Sequence, residues 1–195
     1  MSQLSDEQLL ALHLDGSPEA FNKLVDRYSN ELFGFLCRFV GNAAAAEDLV
    51  QETFVQVYLA AETFDEGRRF RPWLYTIAAN KGRDHLRARG RRVTYSLDTS
   101  GPDDSARRAE NTLEAGTAPV DETLGQDERA EQVRRIVSGM PENMRLVLTL
   151  GYFEQLPYAE IAEVLDIPVG TVKSRLHAAV NQFAKLWREQ SATTG

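Results

Sequence analysis

Residues 63–92 combine positive charge with aromatic rings in a 195-residue chain that is otherwise acidic. This segment carries nine bases against three acids, whereas residues 1–62 carry three bases against ten acids. Cations follow a phosphate backbone and aromatic rings stack on unpaired bases, so the composition suits single-stranded nucleic acid. The overall net charge of -7 hides this patch. Its bases are Arg68, Arg69, Arg71, Lys81, Arg83, Arg87, Arg89, Arg91 and Arg92, and its rings are Phe64, Phe70, Trp73 and Tyr75.

A purely structural interpretation of the same segment stays open. Arginines commonly collect in the last turns of a helix, because their charge complements the helix dipole. Trp73, Leu74 and Ile77 all suit a hydrophobic core, and an indole ring can lie half in the core and half at the surface. The sequence alone therefore leaves both a core role and a stacking role for Trp73.

The segment that follows Asn42 predicts a helix with two different faces. Its apolar residues recur at intervals of three and four, which is the spacing of a buried stripe. Asp48, Gln51 and Glu52 fall together on another face, which is polar. The apolar stripe consists of Val50, Phe54, Val57, Tyr58 and Ala61.

The stretch over residues 156–187 fits a helix-turn-helix. Residues 158–165 are predicted as the first helix and residues 166–168 as the turn, and the second helix begins at Val169. Asp166 stands where glycine is often found, and Asp tolerates the left-handed conformation better than most residues. The second helix has polar residues that the core does not need and that suit a major groove. These are Thr171, Lys173, Ser174, Arg175 and His177. An ordinary helical hairpin with a solvated basic face is the alternative.

Helical signals dominate the rest of the chain, and strand signals are nearly absent. Capping residues and helical spacing of apolar residues predict one helical domain over residues 1–92 and another over residues 126–195. Residues 93–125 between them are rich in Gly, Pro, Ser, Thr and acids, which indicates a linker. We therefore predict an all-α protein of two small helical domains joined by a flexible acidic linker, the second containing the helix-turn-helix.

Several other classes of protein are not indicated. No apolar run approaches the ~20 residues of a membrane span, and the first residues lack the features of a signal peptide, so we expect a cytoplasmic protein without membrane insertion. The single Cys37 lies in an apolar helical stretch, and three scattered histidines form no zinc motif. No phosphate loop or nucleophile arrangement is present, so no catalytic residue, metal, cofactor or small-molecule substrate is expected.

Three segments, taken in order, resemble the extracytoplasmic-function (ECF) sigma factors, a two-domain branch of the sigma-70 family of bacterial sigma factors. The first, AEDLVQETFVQVY, is similar to the helix of that family that binds core RNA polymerase. The second, FRPWLYTIAANKGRDHLRARGRR, is similar to its minus-ten promoter helix. The third, LPYAEIAEVLDIPVGTVKSRLHAA, is similar to its minus-thirty-five reader. Each segment alone is only suggestive, but the three in this order are highly specific.

The resemblance implies three sets of functional residues. A polar, acidic face would bind the clamp coiled coil of the large polymerase subunit, and such a face suits a basic partner. Residues 65–71 would be available to receive a base flipped out of the melted minus-ten element. The polymerase-binding residues would be Asp48, Leu49, Gln51 and Glu52. The minus-ten residues would be Arg68, Arg69, Phe70, Trp73, Tyr75, Asn80, Lys81, Arg83, Asp84 and Arg87. The minus-thirty-five residues would be Thr171, Lys173, Ser174, Arg175 and His177.

The resemblance also implies the function. The protein would bind core RNA polymerase, recognise the minus-ten and minus-thirty-five promoter elements, and promote DNA opening for transcription initiation. It would thus contact promoter DNA both as duplex and, at the minus-ten element, as melted single strand. Its linker would have to join elements roughly 70 Å apart, where a relaxed coil averages about 30 Å and an extended one exceeds about 100 Å. The acidic linker suits either a polymerase channel or a plain solvated spacer. An anti-sigma factor is a further partner that the family suggests.

A stand-alone helix-turn-helix transcriptional regulator is the competing hypothesis. Its N-terminal bundle would sense a ligand or dimerise. Such a regulator needs only one module that reads duplex DNA, and its sensor bundle has no need of nine bases within thirty residues. The basic aromatic segment therefore favours the sigma factor.

Overall fold

The computed structural model describes residues 4–65, 67–99 and 124–193, and these residues form helices joined by short turns. No strand occurs within these ranges, which confirms the all-α prediction. The helices are α1 (Asp6–Leu14), α2 (Pro18–Val40), α3 (Ala43–Ala60), α4 (Phe70–Thr99), α5 (Leu124–Ser138), α6 (Glu142–Leu148), α7 (Tyr158–Leu165) and α8 (Val169–Thr193). A 3-10 turn at Ala61–Thr63 follows α3, and a π-helical turn at Thr149–Phe153 follows α6.

The ends of the first helices carry the local signals that their sequence predicts. Ser5 and Gln8 form a capping box at the start of α1, each side chain accepting the backbone N–H of the other residue. Gly41 ends α2 with a φ of 76°, a left-handed conformation that glycine adopts without strain. Asn42 then caps α3 by accepting the N–H of Ala45 at 2.8 Å. These contacts satisfy backbone groups that a helix end leaves unpaired.

The long helix α2 forms the centre of the first domain. Its apolar side chains lie three and four residues apart, and α1, α3 and α4 pack around them. Leu24, Leu32, Phe35, Leu36 and Phe39 have no exposed surface. Because one continuous stripe holds all three neighbours, α3 and α4 are fixed in orientation and each presents its other face to the outside.

Helix α4 approaches α2 closely at Gly82. A Cβ atom at that position would lie 2.6 Å from Cδ1 of Phe39, whose ring is completely buried. Protein interiors are packed too densely for such an atom to fit without displacement of the ring or the helix. The missing Cβ atom of Gly82 therefore sets the spacing between α2 and α4.

We expect Gly82→Ala to destabilise the protein by about 1–3 kcal/mol, since overpacking outweighs the gain in helix propensity. Urea unfolding followed by circular dichroism measures the change in the free energy of unfolding. Gly90→Ala is the matched control, because a Cβ atom at position 90 of the same helix meets nothing within 4 Å. Wild-type stability of Gly82→Ala would contradict the close approach of the two helices.

The second domain consists of α5 to α8. Leu146, Val147, Leu150 and Ile161 lie in its core with at most 1% of their surface exposed. In the helix-turn-helix, α7 has the bounds that the sequence predicts, and α8 begins at Val169 as predicted. Asp166 ends α7 in the left-handed conformation with a φ of 51°, which confirms the expectation for that turn position.

Helix α4 extends beyond residue 92, the predicted end of the first domain. It continues through Thr99, whereas the composition predicts a linker that begins at residue 93. Extension of an existing helix costs little per residue, because the unfavourable step is nucleation. The greater part of the predicted linker, residues 100–123, lies outside the described residues.

The two domains lie against each other. Helices α2 and α4 of the first domain contact α5, α6 and α7 of the second. Cys37 on α2 is half-buried, and burial raises the pKa of its thiol because it disfavours the thiolate. Within the described ranges, no helix is long and apolar enough to cross a membrane. The same residues hold no group of His, Cys, Asp and Glu side chains arranged for a metal ion.

Candidate protein and nucleic-acid interfaces

Helix α3 presents a polar face to solvent on the side away from the core. Asp48, Gln51 and Glu52 are exposed there, as their helical spacing predicts. Val55 joins them with 59% of its surface exposed, and Gln56 completes a shallow depression. We call these five residues the α3 face. Its acids and its exposed valine together offer a surface for another protein.

Two residues predicted for functional surfaces lie elsewhere. Leu49 is only 4% exposed and belongs to the core, because one step along a helix from Asp48 turns the side chain toward α2. Its assignment to the polymerase-binding surface is corrected accordingly. Lys81, predicted to contact minus-ten DNA, lies at the edge of the α3 face, with Nζ 3.3 Å from Oε2 of Glu52.

The turn before α4 is fixed by hydrogen bonds at both ends. Asp65 accepts the N–H of Gly67 through Oδ1 and the N–H of Arg68 through its carbonyl oxygen, both at 2.9 Å. Phe70, the first residue of α4, donates its N–H to Oε1 of Glu7 at 2.9 Å. Burial raises the pKa of Glu7, but the hydrogen bonds that it accepts outweigh burial and hold the pKa below its usual range. An ionised Glu7 on α1 therefore caps α4 and holds this turn.

The rings of the basic segment lie at different depths. Phe70 and Tyr75 have no exposed surface, Phe70 packing against Trp73 and Tyr75 against Phe35. Neither ring can stack on a base in this arrangement, which corrects the prediction for these two residues. Trp73 is partly exposed and packs on Phe64, with ring centres 4.9 Å apart. Trp73 is therefore the candidate for stacking on a base.

One side of α4 carries a row of polar residues spaced at three and four. Asn80, Arg83, Asp84 and Arg87 line a polar cleft between α4 and the start of α6. Arg83 donates to Oδ1 of Asn80 and Arg87 to Oδ1 of Asp84, each at 3.3 Å. Burial lowers the pKa of Arg83, yet a guanidinium stays charged at physiological pH. We call these four residues the α4 row.

The second helix of the helix-turn-helix turns its polar residues away from the core. Val172 is completely buried and fixes the rotation of α8 about its axis. Lys173, Ser174 and His177 are exposed, and Thr171 and Arg175 are half-buried. These five residues, which we call the α8 face, are the ones that the sequence predicts for the major groove.

Glu154 lies buried where the two domains meet, with 8% of its surface exposed. The hydroxyl of Tyr75 donates to its Oε2 at 3.0 Å, and Nη1 of Arg38 lies 3.3 Å from its Oε1. Arg71 donates to its backbone carbonyl at 3.1 Å. Burial raises the pKa of this carboxyl. Sequence reasoning misses Glu154, because its side-chain partners lie 79 and 116 residues away along the chain.

Two ion pairs join the turn before α4 to α7. Nε of Arg68 donates to Oε1 of Glu163 at 2.9 Å, and Nη1 of Arg69 donates to Oε1 of Glu160 at 2.7 Å. Together with the bonds to Glu154 they form what we call the interdomain contact. It occupies two arginines that the sequence assigns to minus-ten DNA.

Two family models match the chain, one within each helical domain. A model described as Sigma-70 region 2 matches residues 24–92, which include the α3 face and the α4 row. A model described as Sigma-70, region 4 matches residues 130–182, which include the helix-turn-helix. The two matches occur in the order in which the sequence segments predict them.

Relatives match nearly the whole chain. The chain is 37% identical over 179 residues to the RNA polymerase sigma-H factor of Pseudomonas aeruginosa, covering 92% of each protein. It is 37% identical over 182 residues to the ECF RNA polymerase sigma-E factor of Haemophilus influenzae, covering 91% of this chain and 92% of that protein.

Solved structures share the fold. CnrH in complex with the cytosolic domain of CnrY gives a TM-score of 0.69 at 24% identity, covering 94% of this chain and 97% of that one. The sigma factor RpoE of Bartonella quintana, solved with the anti-sigma factor NepR, gives a TM-score of 0.68 at 23% identity, covering 86% and 96%. With both family models matched in order and the curated relatives covering nine-tenths of its length, the chain belongs to the ECF sigma factors of the sigma-70 family.

Proposed function

We propose that this protein binds core RNA polymerase, recognises the minus-ten and minus-thirty-five promoter elements and promotes DNA opening, without turning over a substrate. The observation that carries the proposal is the presence of three separate polar surfaces in one chain: the α3 face, the α4 row and the α8 face. A protein that binds only duplex DNA needs just one of these surfaces, the α8 face.

The α3 face is the surface that we assign to polymerase. Its exposed acids suit a basic coiled coil such as the clamp of the large subunit, and complementary charge sets the rate and register of such association. Val55 supplies apolar contact beside the acids. Lys81 pairs with Glu52 at the surface, and exposed pairs of this kind are weak enough for a partner to replace.

The α4 row, Trp73 and the turn over residues 65–71 are the parts that we assign to the melted minus-ten element. Unstacking a base costs a few kcal/mol, which stacking and phosphate contacts must offset. Trp73 offers a partly exposed ring, and Arg83 and Arg87 offer cations on the same helix. This division of roles explains why rings and arginines occur together in a protein without catalytic chemistry.

The α8 face is the surface that we assign to the minus-thirty-five element. Arg175 is the best suited of its residues to read a base edge, because a guanidinium can bind guanine with two parallel hydrogen bonds. Arg175→Ala is expected to weaken promoter binding by ~1–3 kcal/mol for each base that the guanidinium reads. A gel shift with polymerase holoenzyme on a cognate promoter measures the change in affinity.

Arg188→Ala is the matched control for Arg175→Ala, since Arg188 is exposed further along α8 and outside the α8 face. It should leave promoter binding unchanged. Unchanged affinity of Arg175→Ala, and of the double variant with Lys173→Ala, would show that α8 does not read DNA as assigned.

Two experiments test the function as a whole. Purified core RNA polymerase is mixed with the full chain and analysed by size-exclusion chromatography, and the complex is then supplied with genomic promoter fragments in run-off transcription. We expect co-elution and promoter-dependent transcripts. Failure to co-elute with core polymerase from a bacterium that carries this protein would reject the proposal.

The competing function, a stand-alone helix-turn-helix regulator, is not favoured. The Sigma-70 region 2 model matches the domain that such a regulator would use as a sensor. An anti-sigma factor is a partner that we include in the proposal, because a protein of the same fold was solved in complex with one.

A further inference from the structure

We propose that Glu7 on α1 is a positioning residue for promoter opening, because its carboxylate holds the first turn of α4 in the orientation in which Trp73 captures an unpaired base. The inference rests on the proposed function in taking Trp73 and the turn over residues 65–71 as contacts of the melted minus-ten element. It extends that function to α1, which precedes the residues 24–92 matched by the Sigma-70 region 2 model.

Helix α4 begins after Arg69, a residue type that caps helices poorly. The side chains that cap a helix well are those of Ser, Thr, Asp and Asn. The first turn of α4 also contains no acid to complement the positive end of the helix dipole. Glu7, 63 residues away along the chain, supplies both functions from α1, because its Oε1 accepts the N–H of Phe70 at 2.9 Å.

The Glu7 carboxylate is charged and fixed in place. Burial raises its pKa, but the hydrogen bonds that it accepts outweigh burial, so the group is ionised. Asp6, the preceding residue, accepts hydrogen bonds from Arg27 and from the hydroxyl of Tyr28, both on α2. These contacts anchor the first turn of α1 to α2, so Glu7 has little freedom to move away from α4.

The ring of Phe70 carries this constraint to Trp73. It is completely buried and contacts two rings, with ring centres 5.7 Å from Tyr28 and 5.9 Å from Trp73. Trp73 is the fourth residue of α4, and its indole also packs on Phe64. Phe70 is therefore held through its backbone by Glu7 and through its ring by α2, and Trp73 lies against that ring.

An ordered first turn of α4 favours base capture. A helix end without its cap frays, and the side chains of that turn then have more orientations to lose when they bind. A typical cap shifts the equilibrium between the ordered and the frayed turn by about fivefold. The affinity for an unpaired base falls with the fraction of molecules in which the turn is ordered, so Glu7 acts on opening without touching DNA.

The test measures the affinity of the full chain, assembled with core polymerase, for two fluorescein-labelled promoter templates by fluorescence anisotropy. The fork template has a single-stranded minus-ten element, and the truncated duplex ends before that element. Glu7→Asp keeps the charge but shortens the side chain by one methylene group, so its carboxylate no longer reaches the N–H of Phe70. We expect affinity for the fork to fall by about fivefold and affinity for the truncated duplex to stay unchanged.

Glu19→Asp is the matched control. It makes the same change in the first turn of α2, where the glutamate is exposed and accepts a hydrogen bond from Ser17 beside it. It should leave the affinity for both templates unchanged. Circular dichroism checks that each variant keeps its helices.

Glu7→Gln is the complementary variant, since it removes the charge but keeps the length of the side chain and an acceptor oxygen. It should bind the fork more tightly than Glu7→Asp does. A larger loss in Glu7→Gln than in Glu7→Asp would show that charge, and not the hydrogen bond to Phe70, is what matters, and would overturn the proposal.

A double variant separates positioning from a general loss of stability. If Glu7 acts through Trp73, Glu7→Asp should weaken fork binding far less when Trp73 is already replaced by Ala, because the effects of coupled residues are not additive. A purely structural contribution would weaken binding by the same factor in both backgrounds.

Fork affinity of Glu7→Asp equal to that of the Glu19→Asp control would overturn the proposal, and so would additive effects of Glu7→Asp and Trp73→Ala. The wild-type protein reports on the proposed function in the same experiment. If it binds the fork no better than the truncated duplex, the proposed contact with melted DNA fails. If it prefers the fork and Glu7→Asp does so equally, positioning by Glu7 alone is refuted.

Discussion

A protein in which Asp48 and Glu52 are both replaced by Lys is expected to lose binding to core RNA polymerase while it keeps its fold. Both side chains are exposed on the α3 face, and such surface changes usually cost no more than about 0.5 kcal/mol of stability. Opposed like charges cost several kcal/mol at an interface, so the affinity should fall by about a hundredfold or more. Co-elution with core polymerase and fluorescence titration measure the change.

The control for this variant reverses two acids elsewhere. Asp26→Lys with Glu189→Lys makes the same change in net charge at exposed positions of α2 and α8. Polymerase binding should survive this change. Normal affinity of Asp48→Lys with Glu52→Lys would refute the docking assignment, whereas equal losses in both variants would show that net charge alone governs association.

Replacement of Trp73 by Ala is expected to leave formation of the closed promoter complex nearly normal and to block DNA opening. Stacking is worth ~1–3 kcal/mol per base, which shifts the opening equilibrium by about tenfold or more. A promoter with a pre-melted bubble should partly restore the variant, because the cost of unpairing is then removed in advance. Permanganate reactivity of minus-ten thymines, on duplex and bubble templates, measures opening directly.

Trp73→Phe is the matched control, since it keeps a ring that can stack and pack against Phe64. It should open duplex promoters close to normally. Neutralising Arg83 and Arg87 should instead weaken binding and flatten its dependence on salt, because fewer counterions are released. Normal opening by Trp73→Ala would leave this segment as an electrostatic tether without base capture.

The helix-turn-helix could be predicted in detail because its signals are local. Apolar spacing marks α7 and α8, and Asp166 supplies the left-handed turn between them. The polar face of α3 follows in the same way from the spacing of Asp48, Gln51 and Glu52. In both cases the signals lie within a single helix or within two consecutive helices and the turn between them.

The predictions that fail are those that depend on which side of a helix is covered by the rest of the fold. Leu49, Phe70 and Tyr75 are core residues, although each is predicted to contact polymerase or DNA. Composition shows that rings and bases occur together but not how deep each ring lies. The contact between Tyr75 and Glu154 depends on the docking of two domains, and no short-range pattern encodes it.

The close approach of Gly82 to Phe39 is also a constraint on how relatives of this protein can diverge. The phenyl ring fills the space that a Cβ atom at position 82 would need. In a relative with a side chain at position 82, position 39 must become smaller or the two helices must separate, so a change at position 82 is least costly when position 39 becomes smaller with it. Substitutions that change the side-chain volumes at these two positions would move α4, the helix assigned to DNA opening, relative to the rest of its domain. Promoter preference could then drift through a substitution that never touches DNA.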